Sequence, residues 1–265
     1  KQEHDIQFIG SSKTLIQPLV LQGLLSSERI YETPSVKVYK EPAKHHKYLT
    51  TVDVGRGLAK DYSVFKIIDI TDPMQHEEVL TYRNNTVSHM ALPEIVVDYS
   101  LKYNESHVLV ELNDLGETVA ELIFDKHDYG NIAMIKNRNA RRRRVGVMVT
   151  KATKSKGCQN LKLMIESASL KIHDPDTIAE LHTFIEVGST YMADHGFHDD
   201  CVMSLVNYAW YTDTRQFKAA NEYGLIDTLD THNKDEVEGD LGYIPGAFVD
   251  DGIDRSKAVD ARYQF

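Results

Sequence analysis

The sequence has few cysteines and no long apolar segment. Its two cysteines, Cys158 and Cys201, lie far apart and form no CxxC pair. A disulfide framework is therefore not expected, and a reducing compartment such as the cytoplasm is the default. No apolar run approaches the roughly 18 residues that a membrane-spanning helix needs. The chain starts at Lys1 with no signal-peptide pattern, so we expect an excised domain or a processed fragment.

Acidic residues outnumber basic ones, but the basic residues are concentrated in one stretch. The formal net charge is −10, which argues against a protein that coats nucleic acid, because phosphate affinity needs cationic side chains. No acidic residue lies between Asp128 and Glu166, however, and four consecutive arginines repel one another unless a polyanion is nearby. The basic side chains expected to contact such a polyanion are Arg138, Arg141, Arg142, Arg143, Arg144, Lys151, Lys154 and Lys156.

Three stretches of the chain differ in their patterns. Residues 1–47 show weak periodicity and are expected to be a leader or linker with a few short elements. Residues 48–212 have sharp hydrophobic patterns and are expected to form the folded domain. Residues 213–265 are rich in Asp and Glu and are expected to be a peripheral acidic C-terminal extension.

The folded stretch begins with three segments that are typical of strands, at 48–54, 63–70 and 78–83. Their short connections predict antiparallel hairpins, and a helix with Pro93 in its first turns should follow. The apolar run HVLVE at 107–111 is typical of a buried parallel strand.

The remaining patterns predict further helices and two short strands. The order indicates an α/β fold, a mixed sheet with helices on both faces. The predicted elements are a helix around Val119, a strand at 131–135, helices near 156–167 and 175–185, a last strand at 187–192, and a final helix at 198–211.

Carboxylates end two of the predicted strands. Asp53 ends the first strand before the turn that contains Gly55 and Gly57, and Glu111 ends HVLVE. A carboxylate at a sheet rim is held where ligands and metals commonly bind in α/β folds. The alternatives, a turn-initiating Asp and a water-facing Glu, stay open at this point. Asn113 points to the same side as Glu111 if the strand continues.

Three polar residues, His198, Asp199 and Asp200, precede the final predicted helix. An Asp at this position caps a helix and suits its dipole, but one Asp is enough for that. With helical geometry, Asp199 shares the apolar face that meets the sheet, whereas Asp200 points about 100° away. The pattern therefore favours Asp199 as an inward ligand and Asp200 as a helper or a cap, with His198 as a polar rim residue.

Acids on three separate elements make a hard-oxygen site suited to Mg²⁺ or Mn²⁺. We therefore expect Asp53, Glu111 and Asp199 to be catalytic, and these three together with Asp200 to hold metal. Two such ions about 3.5–4 Å apart can activate water and stabilise the leaving oxygen in phosphodiester hydrolysis. Asp61 lies across the glycine turn and is expected to order that turn more than to serve as a fourth acid.

Four segments, taken together in this order, resemble the nuclease domain of the large terminase subunit of T-even-type tailed bacteriophages. The segments are TVDVGRGLAKDYSVFKIIDI, VSHMALPEIVVDYSLKYN, HVLVELNDLGETVAELI and GFHDDCVMSL. The resemblance covers roughly residues 45–212. Each motif alone is weak, but their order and spacing are specific.

The resemblance implies a ribonuclease H-like fold in which Asp53, Glu111 and the HDD at 198–200 match the family's acids. It implies one or two Mg²⁺ or Mn²⁺ ions and the cutting of concatemeric double-stranded viral DNA during headful packaging. The implied partners are the N-terminal ATPase domain of the full-length protein, the portal protein and the small terminase subunit. The implied location is the host cytoplasm, with transient docking at the procapsid portal.

Several other functions fit the sequence less well. The segment GSSKT at 10–14 resembles the tail of a phosphate-binding loop but lacks the first glycine, so no nucleotide is expected here. Actin-like kinases also place an Asp-x-Gly turn after a first strand, but they need further glycine-rich loops. A non-catalytic module that grips DNA or docks on a portal stays open, as does a junction resolvase of the same fold.

Overall fold

The structure is a computed structural model of the chain, and it describes residues 13–56, 61–112, 115–135 and 144–218. Its helices are α1 (Pro18–Gly23), α2 (Leu92–Lys102), α3 (Gly116–Glu121), α4 (Lys151–Glu166), α5 (Pro175–Thr183) and α6 (Asp200–Thr212), and a π-helical turn, Leu122–Lys126, follows α3. Its strands are β1 (Tyr31–Glu32), β2 (Val36–Val38), β3 (Tyr48–Asp53), β4 (Ser63–Asp69), β5 (His76–Asn84), β6 (His107–Val110), β7 (Met134–Ile135), β8 (Arg144–Val145), β9 (Leu170–Lys171), β10 (Phe184–Val187) and β11 (Thr190–Ala193). None of the described helices is long and apolar enough to cross a membrane.

A mixed, mostly antiparallel sheet organises the fold. Its strand order is β1-β2-β5-β4-β3-β6, and β9 pairs with one end of β5. The β3–β4 and β4–β5 pairs are antiparallel, whereas β6 runs parallel to β3 with Val110 opposite Val52. These pairings confirm the predicted hairpins and the predicted parallel strand.

Helices cover both faces of the sheet, as the sequence predicts. Successive strand residues point to opposite faces, and they therefore enter different cores. Val108 of β6 belongs to the core with Val96 of α2 and Val119 of α3, whereas the next residue, Leu109, packs with Leu205 of α6. The three-layer arrangement buries the apolar strands on both sides.

Part of the stretch expected to be a leader belongs to this sheet. Strand β2 pairs with β5, with Lys37 opposite Thr81, and β1 extends the same edge. Strands of two and three residues are too short for hydrophobic alternation to register in the sequence. The predicted strand at 131–135 shortens to β7, which pairs with β8. Just before β7, Ile132 forms a parallel bridge with Val108 of β6, so this segment also contacts the main sheet.

The prediction of one strand at 187–192 is wrong. The chain instead forms a hairpin of β10 and β11, with Val187 opposite Thr190 and a φ of 64° at Gly188. Glycine tolerates this left-handed backbone, and a glycine followed by serine is a recognised two-residue turn. Apolar residues lie on both sides of this turn, so the hydrophobic pattern of the sequence does not reveal it.

Helix α4 begins five residues before its predicted start, at Lys151. Thr150 and Thr153 form a reciprocal capping box, in which each side chain accepts from the other residue's backbone N–H. The helix then packs closely on α6. A Cβ added at Gly157 would lie only 2.4 Å from the carbonyl oxygen of Val206, so this approach requires glycine.

Candidate metal centre

Two acids meet at one end of the sheet. Asp53 is the last residue of β3, and Glu111 directly follows β6. Because these strands are parallel neighbours in matched register, both acids reach the same rim, and the Glu111 N–H donates to the Val52 carbonyl oxygen at 3.0 Å. The charge of Glu111 raises the pKa of Asp53, as expected for neighbouring carboxylates. Strand pairing therefore unites residues that are distant in sequence.

These acids belong to a cleft of about 390 Å³. Glu111 is only 6% exposed, Asp53 is half-buried, and Asp61 is exposed at the rim. The cleft thus has a sheltered acidic floor that opens to solvent. Its lining residues are Asp53, Val54, Gly55, Arg56, Asp61, Glu111 and Asp200.

Helix α6 orients Glu111 from the opposite side. Asn207 Nδ2 donates to Glu111 Oε2 at 2.5 Å, and Asn207 is itself buried. This amide was not singled out from the sequence. In the sequence, Asn207 is recognisable only as one amide in a mostly apolar helix. Such an amide is more often structural than part of a site.

Asp199 and Asp200 diverge where α6 begins. Asp199 has a non-helical backbone, with φ −131° and ψ 13°, so the helical projection that favoured it as the inward ligand does not apply to it. Its Oδ2 accepts from the Ala193 N–H at 3.2 Å, at the end of β11. Asp200 instead lines the cleft, and its Oδ2 accepts from the Tyr62 N–H at 3.3 Å.

Neither acid is needed as the helix cap. Asp199, at the N-cap position, makes no side-chain capping bond. The buried Glu180 of α5 takes that role, since its Oε2 accepts from the N–H groups of Cys201 at 2.8 Å and Val202 at 3.1 Å. Sequence reasoning missed Glu180. The only feature of the sequence that pointed to this residue was a carboxylate on the apolar face of α5, next to Leu181.

Burial and nearby negative charges raise the pKa values of these acids. Burial, and then the charges of Glu111, Asp200 and Asp199, raise the pKa of Asp53 well above its ordinary value. Burial also raises the pKa of Glu111, against the opposing hydrogen bond from Asn207, and burial raises the pKa of Asp200. A cluster of carboxylates with raised pKa values is a common mark of a functional site, and a bound cation would relieve the repulsion between them.

The donor set fits a hard divalent cation, because it consists of carboxylate oxygens. Among the residues that the structure describes, no three acidic, histidine or cysteine side chains are already close enough to enclose an ion. The carboxylates that line the cleft would therefore have to turn toward one another to share a metal. His198 lies at the edge, with Nδ1 3.6 Å from Asp200 Oδ2 and its ring against Tyr62.

Comparison with known proteins assigns the family. Residues 50–209 match the family model of the terminase RNaseH-like domain. The chain belongs to this family. The ribonuclease H-like fold expected from the resemblance is thereby confirmed, whereas the narrower assignment to the T-even branch stays a prediction.

Solved structures agree with this terminase fold. The large terminase nuclease from thermophilic phage G20c, solved with bound magnesium and with bound cobalt, is 20% identical, with a TM-score of 0.60 in each case. Each alignment covers 76% of this chain and 98% of the G20c chain. The Thermus phage P74-26 large terminase nuclease domain is 22% identical, with a TM-score of 0.55 over 71% of this chain and 90% of that one.

Glycines shape the rim of the terminase cleft. The Gly55 N–H donates to Ser63 Oγ at 3.1 Å, and a Cβ at Gly55 would lie 2.6 Å from the carbonyl carbon of Tyr62. The turn is therefore too tight for a side chain. Two other residues expected to support the site, Gly57 and Asn113, lie outside the described residues.

The basic residues expected to contact DNA divide into three groups. Lys151 is exposed at the start of α4. Lys154 Nζ lies 5.8 Å from the Phe184 ring centroid, and the charge of Lys154 lowers the pKa of Glu111. Lys156 forms an ion pair with Asp213 at 2.7 Å. The side chain of Arg144 and all of Arg138, Arg141, Arg142 and Arg143 lie outside the described residues.

Proposed function

We propose that this terminase domain is a metal-dependent endonuclease that cuts double-stranded DNA. One observation carries the proposal: Asp53 and Glu111 lie side by side at the ends of two parallel strands, and Asp200 lines the same cleft. The raised pKa values of these three acids support it. The similar solved domains are described as terminase nucleases, two of them with bound magnesium or cobalt.

The proposed ligands of one or two Mg²⁺ or Mn²⁺ ions are Asp53, Glu111 and Asp200. Asp199 is proposed as a nearby acid that adds negative charge, because its carboxylate is bonded to the end of β11 and it is not among the cleft-lining residues. Bound divalent ions would supply an acidified water and neutralise charge on the scissile phosphate. Asn207 keeps Glu111 turned toward the cleft.

Lys151 and Lys154 are proposed to hold the DNA backbone beside the cleft, together with the arginines at 138–144. Such contacts bind phosphate and carry no information about base sequence. The domain is therefore proposed to cut with little sequence preference. This suits the cutting of concatemeric viral DNA at any position that headful packaging dictates.

The proposed setting is the viral DNA-packaging motor. The domain would act with the N-terminal ATPase domain of the full-length protein, the portal protein and the small terminase subunit. It would work in the host cytoplasm and dock transiently at the procapsid portal. These proposals rest on membership of the terminase family.

A plasmid-nicking and linearisation assay tests the nuclease proposal. Wild type, Asp53→Asn and Asp98→Asn are compared with Mg²⁺, Mn²⁺ or EDTA. The control residue, Asp98, is exposed on α2 and belongs to no part of the cleft. Wild type and the control are expected to cut only with metal. Asp53→Asn should lose about 100-fold or more, since removing even an outer partner of a metal site costs 10–100-fold.

Two outcomes would contradict this assignment. Folded wild type that binds DNA but does not cut it under any metal would favour the non-catalytic gripping or docking module. Cutting that survives in Asp53→Asn would exclude the proposed site. A four-way junction offered beside linear duplex separates the junction resolvase, which would cut the branched substrate first.

A further inference from the structure

A closed series of contacts, here called the circuit, joins Asp200 through Tyr62, Arg83 and Glu180 to the two residues that follow Asp200. Asp200 Oδ2 accepts from the Tyr62 N–H at 3.3 Å. The Tyr62 ring is covered by the Arg83 guanidinium, whose central carbon lies 3.4 Å from the ring centroid. Arg83 Nη2 lies 3.5 Å from Glu180 Oε1. The other oxygen of Glu180 accepts from the N–H groups of the two residues that follow Asp200.

The members of this circuit come from four separate elements. Tyr62 precedes β4, Arg83 lies near the end of β5, Glu180 belongs to α5, and Asp200 starts α6. Glu180 is 6% exposed, so its contacts are sheltered from competing water. Glu180 Oε2 accepts both backbone hydrogen bonds, whereas Oε1 meets Arg83 as an ion pair and has no hydrogen-bond partner among the described residues. The circuit therefore fixes the start of α6 against the sheet.

Helix α5 is itself firmly held one turn before Glu180. The fully buried Lys66 donates to Glu78 Oε1 at 2.5 Å and to Thr177 Oγ1 at 2.6 Å. The second oxygen of Glu78 accepts from the Asp174 N–H at 2.9 Å, at the N-cap of α5. Glu180 thus projects from a helix whose beginning is fastened to the sheet.

We propose that Glu180 and Arg83 are positioning residues for the metal centre, because they set where the Asp200 carboxylate stands. This inference rests on the proposed metal-dependent nuclease. Neither residue lines the acidic cleft, so neither is expected to touch metal or substrate. Their contribution is to reduce the reorganisation that Asp200 would need on binding an ion, as outer partners do at other metal sites.

The test compares Glu180→Ala, Glu180→Gln and Arg83→Lys with wild type. Mn²⁺ affinity is measured by electron paramagnetic resonance, which needs no cutting, and cutting is measured across metal concentrations. Glu180→Ala is expected to weaken Mn²⁺ binding by about 10–100-fold. Cutting by this variant should recover in part at saturating metal.

The conservative variants give a graded expectation. Glu180→Gln keeps an oxygen that can accept from the two backbone N–H groups, and it should restore most of the affinity. Arg83→Lys keeps the charge but loses the planar group that stacks on Tyr62. Its Mn²⁺ affinity is expected to fall between that of wild type and that of Glu180→Ala.

Val97→Ala serves as the control for general destabilisation. Val97 is buried on α2 in the other core, away from the circuit, and its truncation should lower the melting temperature without changing Mn²⁺ affinity. If Glu180→Ala behaves the same way, the positioning role is overturned while the nuclease proposal stands. Wild type that binds Mn²⁺ but never cuts overturns the nuclease alone. Wild type that binds no Mn²⁺ overturns both.

Discussion

Asp53 shows how one carboxylate within a cluster of acids lowers the stability of the folded domain. Its pKa is raised well above the ordinary value by burial and by Glu111. The ordinary pKa applies to the unfolded chain, and the raised pKa applies to the folded protein. Between the two, the folded state binds more protons than the unfolded state, so the free energy of unfolding falls as pH rises. Each pKa unit corresponds to about 1.4 kcal/mol. The metal-free domain should therefore gain stability when this acid is removed.

The variant Asp53→Asn is expected to melt a few degrees above wild type at pH 8 in EDTA, since 1 kcal/mol moves Tm by about 2–4 °C at this size. At pH 5 the gain should shrink, because the cost of holding this carboxyl at a raised pKa decreases as pH falls toward the pKa of the unfolded chain. Thermal unfolding at both pH values, with Asp98→Asn as the control, measures the difference. An equal gain at both pH values would contradict the raised pKa.

The two neighbouring acids at the start of α6 are expected to differ. Asp200→Asn should weaken Mn²⁺ binding about tenfold more than Asp199→Asn, because Asp200 lines the cleft and Asp199 is bonded to Ala193. A tenfold ratio corresponds to about 1.4 kcal/mol. Mn²⁺ titration of both variants measures it. The opposite ranking would support the helical-face prediction, in which Asp199 is the inward ligand.

Helix α6 is the element on which the metal centre depends most. It begins with Asp200 and, about 10 Å along its axis at 1.5 Å per residue, carries the Asn207 that holds Glu111. Its position is set in turn by α4, which approaches closely at Gly157. A disturbance of this helix pair should therefore reach the cleft.

Gly157→Ala is expected to destabilise the domain by about 1–3 kcal/mol, the usual range for overpacking. The added methyl would meet the Val206 carbonyl oxygen at 2.4 Å, and backbone cannot rotate away as a side chain can. Cutting at a temperature where the variant stays folded should also fall, because α6 shifts. Gly130→Ala is the control, since a Cβ there meets nothing within 4 Å. Chemical denaturation and the nicking assay together test this, and equal stability of the two variants would contradict it.

The elements differ in how well the sequence predicts them. Strands β3 to β6 are predicted well, because their apolar residues form long runs and their connections are short. The strands β1 and β2 escape prediction because tertiary pairing, of β2 with β5 and of β1 with β2, defines them and a local pattern does not. The acids at the ends of strands can be located from the same local features, the long apolar runs and the short connections.

The supporting residues of the site are not predictable in that way. Asn207 matters because it meets Glu111, and Glu180 matters because it meets the start of α6. These contacts join segments that only the tertiary fold brings together. The choice between Asp199 and Asp200 depends on which residue begins the helix, and such boundaries are the least certain part of a sequence-based assignment.

At the scale of the whole molecule, charge is unevenly distributed. The net charge is −10, yet Lys151 and Lys154 both lie on α4, and the charge of Lys154 acts on Glu111. A polyanion would therefore be repelled by most of the surface and attracted by one face. DNA binding to such a protein should be strongly sensitive to salt.

The double variant Lys151→Ala/Lys154→Ala is expected to bind duplex DNA more weakly and with a shallower salt dependence. Two lost phosphate contacts should reduce the slope of log K against log salt by about 1.8. Fluorescence anisotropy in EDTA, from 50 to 200 mM salt, measures the slope. Lys102→Ala, on α2 and ion-paired with Glu41, is the control. An unchanged slope in the double variant would exclude these lysines as phosphate contacts.

The proposed metal centre draws its acids from β3, from the end of β6 and from the start of α6, the last helix in the described part of the chain. A ribosome therefore releases Asp53 and Glu111 well before it makes the third acid. A nascent or prematurely terminated chain that stops short of α6 has no complete site and lacks the helix that turns Glu111 inward. On the proposed function, a chain that ends before α6 is therefore not expected to cut DNA.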